Sequence, residues 1–388
     1  MILELNEGQK MLQRNVCTFL EKEIVPIADE YDRRYRPFTK DVAIGLMKEL
    51  ASLGYIGAAL PREYGGQGLD FISYGILIEE LSRAYASLCL VVILQNEALL
   101  PVLYKEGTPE QKQKFMPKVL NLKSLCCLAA TEPDVGSGIR DMKTEAILHG
   151  DHYVINGTKT WISNGNIADM VLLFAATDRS QGTKGITCFI VDKAESRFTT
   201  RDLPHLGLRS CSSAELVFEN CRVPKENVIA RLGEGYRLAM GGFLQIRALI
   251  AGMSTGIAQA AVDAAIKYAR ERKQFGHAIA TFQLVQELIT DMVIAVECAR
   301  FLYLRACYLL GKGESCFRES SMAKAFATEM AIGVTSKAIQ VHGCSGVSEG
   351  YPLERYFRDA RMLTFADGTT EIQKLIVGRE ILGVSAFV

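Results

Sequence analysis

The period of the hydrophobic pattern changes twice along this 388-residue chain, and that change constrains the fold more than any single residue does. From Gly8 to about Leu122, segments such as "GQKMLQRNVCTFLEKEIV", "AIGLMKELASLG" and "YGILIEELSRAYASLCLVVI" repeat their apolar residues at helical spacing. The turn "PREYGGQGLD" separates the second from the third. From about Ser124 to Ile229 the runs shorten to strand length: "HYVINGTKTWIS", "MVLLFAAT", "GITCFIVD" and "AELVFENCRV". In the first of these, Asn156-Gly157 is the dipeptide that a tight hairpin turn favours, so a turn is expected there. Helical spacing returns from Tyr236, and "VQELITDMVIAVECARFLYLRACYLL" carries a wide apolar stripe through Val285, Leu288, Ile289, Met292, Val293 and Val296. A stripe of that width belongs to a helix bundle or a subunit interface.

Composition removes several function classes. Lys plus Arg equal Asp plus Glu at 44 each, so no charge excess favours nucleic acid or an anionic membrane. The longest aliphatic run, Leu88 to Leu94, is far short of the roughly 18 residues a membrane span needs, and a soluble protein is expected. The opening "MILELNEGQK" lacks a basic segment followed by an apolar run, which reads as no secretory signal. Eleven cysteines without a C-x-x-C pair fit reduced thiols in the cytoplasm better than a disulfide framework or zinc site. The histidines have no metal-ligand spacing, and no metal is expected; "GGQG" at 65 to 68 also fails the dinucleotide-binding pattern because residue 71 is Phe. There is neither a P-loop nor a G-x-S-x-G elbow. What remains is a set of Gly-, Ser- and Thr-rich loops able to present backbone N–H and hydroxyl groups to a polar cofactor.

Three of those loops, "CLAATEPDVGSG" (127 to 138), "INGTKTWISNG" (155 to 165) and "YARERKQFG" (268 to 276), precede a terminal "ADGTTEIQKLIVGRE". In that order they resemble the signature segments of the acyl-CoA dehydrogenase family, and "EYGGQGLD" and "VFENCRVPKENVI" also stand in family places. The resemblance runs over the whole chain. It implies an α+β fold with an N-terminal helical domain (1–123), a middle β-barrel or sandwich domain (124–232) and a C-terminal four-helix bundle domain (233–388). It also implies FAD, an acyl-CoA substrate, an electron-transferring flavoprotein as acceptor and a homotetramer.

The family reaction removes a proton α to a thioester while a hydride leaves the β carbon for flavin N5. It therefore needs a base on one face of the substrate and the flavin on the other. Thr131 and Ser137 resemble the hydroxyls that meet the flavin ring and the pyrophosphate, with Ser137 also beside the substrate's pantetheine arm. Standing alone they would be turn residues. The usual Asp after this Gly-Ser is Gly138 here. Trp161 matches the tryptophan that stacks on the flavin, and Ser163 keeps the hydroxyl that bonds N5. Arg272, Phe275 and Gln283 match residues that reach the FAD of a neighbouring subunit, where a guanidinium offers a planar fork to a diphosphate. Gln340 and Gly343 resemble a second pyrophosphate contact, with Cys344 replacing the usual second glycine; Thr369 and Glu371 complete the cofactor set.

Asp367 has two readings. It lies just before "GTTEIQKLIVGREIL", where Asp is a good helix N-cap. It also occupies the family position of the catalytic base, normally Glu in "YEGT"; the alternative base position holds Ile246, which cannot take a proton. The two roles are compatible. Aspartate shortens the side chain by about 1.5 Å, and Ala366 replaces a tyrosine, so space opens beside Gly368 where the acyl group reacts. That space suits a branched or alicyclic acyl group such as cyclohexane- or cyclohexene-carboxyl, and some family members acting on those rings are thought to use aspartate. Glu97, the only charge between Arg83 and Lys105, aligns with an acyl-pocket position and is a candidate second carboxylate; otherwise it is a helix-end glutamate in water. Arg247 retains the family arginine flanking the site, for substrate binding, although the acidic residue three positions earlier is Leu244. Two other readings share these residues: a nitroalkane-oxidase-like flavin oxidase, marked by rapid reoxidation in air, and a catalytically silent flavin-binding interaction protein.

Overall fold

The computed structural model describes residues 4–386. Helices fill the first third: α1 (Glu7–Glu23), α2 (Val25–Arg33), α3 (Lys40–Ala51), α4 (Phe71–Glu97), α5 (Leu100–Glu106) and α6 (Pro109–Leu120). Local chemistry fixes several starts. Asn6 and Gln9 form a reciprocal capping box on α1, and Thr108 and Gln111 do the same on α6.

The helical spacing read across α4 is realised in two pieces rather than one. Tyr85 has extended backbone (φ −156°, ψ 99°), breaking the helix in two. In an unbroken helix, residues 74 and 96 would stand about 33 Å apart, yet the Asn96 amide donates to the Tyr74 hydroxyl at 3.2 Å. Cys89 likewise donates to the Ile78 carbonyl. The two halves are therefore antiparallel, and the reversal brings Glu97 beside Tyr74.

The middle segment forms one sheet from β1 (Cys126–Ala129), β2 (Glu145–His149), β3 (His152–Ser163), β4 (Met170–Ala176), β5 (Ile186–Asp192), β6 (Thr199–Asp202), β7 (Ser213–Pro224) and β8 (Val228–Ile229). Strand order is β6-β7-β3-β2-β4-β5-β8, with β1 added in parallel to β4. Every residue of β4 and β5 is buried, because alternate side chains serve opposite cores. Met170, Leu172 and Phe174 pack in a cluster with residues of α5 and α6. Val171, Leu173 and Ala175 face a second cluster shared with β3 and β7.

The hairpin turn expected at Asn156-Gly157 is not there. Both residues lie inside β3, and the tight turn is Gly150-Asp151, between paired His149 and His152. Gly150 supplies the positive φ (64°) that a two-residue turn starting with glycine requires. Asn156-Gly157 instead marks a register shift against β7, where the Asn156 side chain accepts from the Asn220 backbone N–H. A β-carbon on Gly157 would come within 2.5 Å of the Thr144 hydroxyl oxygen, so the bulge needs glycine.

The last third contains α7 (Gly235–Glu271), a small hairpin of β9 (Lys273–Gln274) and β10 (His277–Ala278), then α8 (Gln283–Gly311), α9 (Phe317–His342), α10 (Leu353–Leu363) and α11 (Thr370–Leu382). Buried residues of α4, α7, α8 and α9 share one hydrophobic cluster, so the N-terminal hairpin and the C-terminal bundle are joined in one core. Gly256 allows the closest approach of α7 to α4: a β-carbon there would sit 2.2 Å from the Glu79 carbonyl oxygen. The stripe on α8 is only partly covered, since Met292 and Val296 are buried while Val293, Ile294 and Phe301 remain exposed.

Candidate active site

The segment between α10 and α11 turns through left-handed backbone at Asp367 (φ 52°) and Gly368 (φ 97°). Asp tolerates that conformation better than most residues, and the φ of 97° next to it favours glycine, where a β-carbon would also crowd the Gln373 amide at 2.8 Å. The capping role expected for Asp367 belongs to Thr369, whose hydroxyl accepts from the Ile372 N–H. Asp367 is two residues too early to serve α11, and its side chain is left free of that duty.

Side chains from three helices hold this turn by its carbonyls. From α7, Arg247 Nε donates to the Asp367 carbonyl at 3.2 Å. From α11, buried Gln373 donates to the carbonyls of Asp367 (3.1 Å) and Gly368 (3.0 Å). From α9, buried Lys324 donates to the carbonyls of Thr364 (2.9 Å) and Gly368 (2.8 Å). Thr370 adds a 2.6 Å hydrogen bond to Glu329. Neither Lys324 nor Gln373 stands out in the sequence by spacing; the one signal is a lone cation among small apolar residues in "SMAKAFA".

These neighbours set the proton affinity of Asp367. Burial raises its carboxyl above the usual range, and the charges of Lys324 and Arg247 pull it back. By area the residue is only partly buried, but its carboxyl is deep enough for desolvation to dominate. Burial also pushes Lys324 down to about 8, against the attraction of Asp367, and lowers Arg247. A carboxylate whose proton affinity is raised by burial is suited to taking a proton from carbon. Ala366 flanks it, partly buried, and Ile246, one residue before Arg247, is buried in the apolar core.

Glu97 is buried at the end of α4, and burial raises its carboxyl to about 7, with Tyr74 and Lys105 acting in the opposite sense. The expectation of a helix-end glutamate in water is thereby corrected. Its polar neighbours differ from those of Asp367, which are Lys324 and Arg247.

A second group of predicted residues meets on the sheet. The Thr160 N–H donates to the Thr131 carbonyl at 3.0 Å, which sets the Thr131 loop beside Trp161. A register shift between Lys159 and Ile162, with Trp161 at φ 58°, turns the indole outward, 55% exposed. Below it, buried Lys159 bonds both the Ala130 carbonyl and the Glu132 carboxylate, and Glu132 accepts from the N–H groups of Lys143 and Thr144. This buried ion pair, which no local motif announces, pins the Thr131 loop to β3. Ser163 is partly buried at the strand end and Ser137 is exposed.

Arg272, Phe275 and Gln283 lie on or beside the β9–β10 hairpin, all exposed, with Phe275 90% accessible. No hydrogen bond or ion pair among the described residues ties them directly to Thr131 or Trp161. Gln340 and Gly343 are exposed at the end of α9, and Glu371 is exposed in the first turn of α11. The donor set fits FAD: an accessible indole face for a flat ring, hydroxyls at 131, 137 and 163, and an exposed guanidinium for a diphosphate. The backbone at Gly136 and Gly343 is open, since a β-carbon at either would meet nothing within 4 Å.

Comparison with known proteins agrees with this geometry. Family models for the N-terminal, middle and C-terminal domains of acyl-CoA dehydrogenases match residues 6–123, 127–221 and 233–382. The mitochondrial short-chain specific acyl-CoA dehydrogenase of Mus musculus is 39% identical over 381 residues, covering 98% of this chain and 91% of that protein. The mitochondrial 2-methylacyl-CoA dehydrogenase of Solanum tuberosum is 37% identical over 98% of this chain and 92% of its own length. Among solved structures, a chain in the structure of the electron transferring flavoprotein of Acidaminococcus fermentans superposes with a TM-score of 0.94 at 35% identity, covering 98% of this chain and 100% of that one. With the three domains in order and full-length relatives above a third identity, the chain belongs to the acyl-CoA dehydrogenase family and is an FAD-dependent oxidoreductase.

Proposed function

We propose that the enzyme dehydrogenates a branched or alicyclic acyl-CoA, with Asp367 as the base that takes the α proton. The observation that carries this reading is a carboxylate raised by burial and carried on a turn whose carbonyls are bonded by Arg247, Lys324 and Gln373. Such bonds fix where the carboxylate starts, and proton transfer from carbon depends steeply on that approach. FAD, when bound, supplies the acceptor for the hydride that leaves the β carbon. Thr131, Ser137, Trp161 and Ser163 would hold its flavin and pyrophosphate side, with Gln340, Gly343, Thr369 and Glu371 along the helical side. Arg272, Phe275 and Gln283 would serve the FAD of a second copy.

The short aspartate and Ala366 leave more room at the reacting carbons than the family's Tyr-Glu pair would. A relative named for 2-methylacyl-CoA supports an α-branched substrate, and a ring carbon bearing the thioester is branched at the same place. The short-chain relatives favour a small acyl group overall. Glu97, buried and able to hold a proton near neutrality, is the proposed second carboxylate of the acyl pocket. Electron-transferring flavoprotein is the proposed acceptor. A homotetramer is supported by the exposed apolar side chains of α8 and by an apolar groove of about 830 Å³ between α8, α9 and α11, lined by Met292, Leu302, Phe326, Met330 and Val377. The test is anaerobic bleaching of the flavin with straight-chain, branched, cyclohexyl and cyclohexenyl acyl-CoA thioesters. Faster bleaching by straight chains defeats the substrate reading.

A further inference from the structure

We propose that Lys324 is a positioning residue for Asp367, holding both ends of the turn that carries the carboxylate. This rests on the reading of Asp367 as the base. The Lys324 ammonium comes from α9, 40 or more residues away in sequence, and bonds the Thr364 and Gly368 carbonyls that bracket Asp367. Thr364 closes α10 and Gly368 precedes the cap of α11, so one side chain fixes the spacing between two helices across the left-handed turn. Gln373 and Arg247 bond only Asp367 and Gly368; at the other end Arg361 reaches the Thr364 hydroxyl from within the same helix, and Lys324 takes the Thr364 carbonyl and links it to Gly368.

A buried cation is costly where a small apolar residue would pack, and its neighbours Ala323, Ala327 and Ala331 on α9 are all buried alanines. The cation is offset only by what it bonds and faces. The charges that act on Lys324 are Asp367 from the turn, Arg247 from α7, Glu329 from its own helix and Glu371 from α11. Those acting on Asp367 are Lys324 and Arg247, and Arg379 of α11 acts on Arg247. Lys324 therefore does two things at once: it spaces the turn and it favours the ionised carboxylate that can accept a proton.

The experiment compares wild type, Lys324→Met, Lys324→Arg and Asp367→Asn as FAD-loaded protein, measuring kcat and KM against pH with whichever acyl-CoA thioester bleaches the wild-type flavin fastest. Lys324→Met is expected to lower kcat at pH 7 by about 10- to 100-fold with KM changed much less. Its acid limb should move up by about one pH unit, because a cation facing the carboxylate is gone. Lys324→Arg should return the acid limb toward the wild-type position. If Lys324→Met fails to fold or to retain FAD, Lys324→Gln, neutral and still a donor, must show the same upward limb. A neutral variant whose limb coincides with wild type overturns the proposal, whatever its kcat. Asp367→Asn distinguishes the underlying reading: retention of kcat there rejects Asp367 as the base, whereas loss of kcat with an unmoved Lys324→Met limb rejects only the positioning role.

Discussion

Replacing Glu97 with Gln should stabilise the enzyme, and more so in alkaline than in mildly acid solution. Burial lifts the Glu97 carboxyl from 4.5 to about 7. For a carboxyl raised on folding, the stabilising contribution is complete below the unfolded value and is lost as pH rises through the folded one. Relative to acid, this lowers stability by about 3 kcal/mol at pH 8, where the folded carboxyl is ionised, and by about 1.4 kcal/mol at pH 5.5, where the folded state holds a proton that the unfolded chain releases, taking about 1.36 kcal/mol per unit. Glutamine carries no charge at either pH, so the variant's advantage should grow by about 2 kcal/mol between them. Any change in the Tyr74 hydrogen bond adds nearly the same amount at both. For a chain of this length, an unfolding entropy of about 2.1 cal/mol/K per residue converts 2 kcal/mol into a gap of about 2–3 °C. The assay is thermal unfolding of wild type and Glu97→Gln, both FAD-loaded, at pH 5.5 and 8 and at one protein concentration. A difference in Tm that is the same at both pH values refutes burial as the cause. The same variant examines the second-carboxylate role: unchanged turnover of every ring substrate removes Glu97 from the chemistry.

Other outcomes are equally specific. Asp367→Asn should retain FAD, read from the visible flavin spectrum, while kcat falls at least about 10³-fold because the positioned base is gone. Ala366→Tyr should depress kcat/KM for branched and cyclic thioesters by about tenfold or more relative to straight chains, as a pocket refilled by an aromatic ring rejects the bulkier substrate. Gly256→Val should fail to accumulate as folded protein, judged by gel filtration and far-UV circular dichroism, since its side chain would have to displace the Glu79 backbone.

The oxidoreductase reading rested on a family resemblance carried by short segments whose residues are consecutive in the chain. "CLAATEPDVGSG" and the terminal "ADGTTEIQ" sit at element ends and "INGTKTWISNG" runs along β3 and out of it, and their turn residues and hydroxyls leave a mark in the sequence. The change of hydrophobic period gave the helical, β and helical order for the same reason, since both periods are written over a few consecutive residues. Placement of the cap was harder: Asp367 and Thr369 are both good N-caps, and only the observed backbone assigns the task to Thr369.

Pairing over distance was not legible. Asn-Gly favours a hairpin, but the partner of Asn156 is Asn220, and β7 decides that β3 runs straight through. The apolar run of α4 fits a long helix, yet the reversal at Tyr85 satisfies that pattern as well, because both halves bury the same residue types. The site divides in the same way. The sequence by itself determined that a carboxylate would stand before the last helix, next to a flexible glycine and a small alanine. Only the tertiary structure decided what surrounds it, since Arg247, Lys324 and Gln373 reach it from three separate helices and no local pattern records which buried donors converge on one turn.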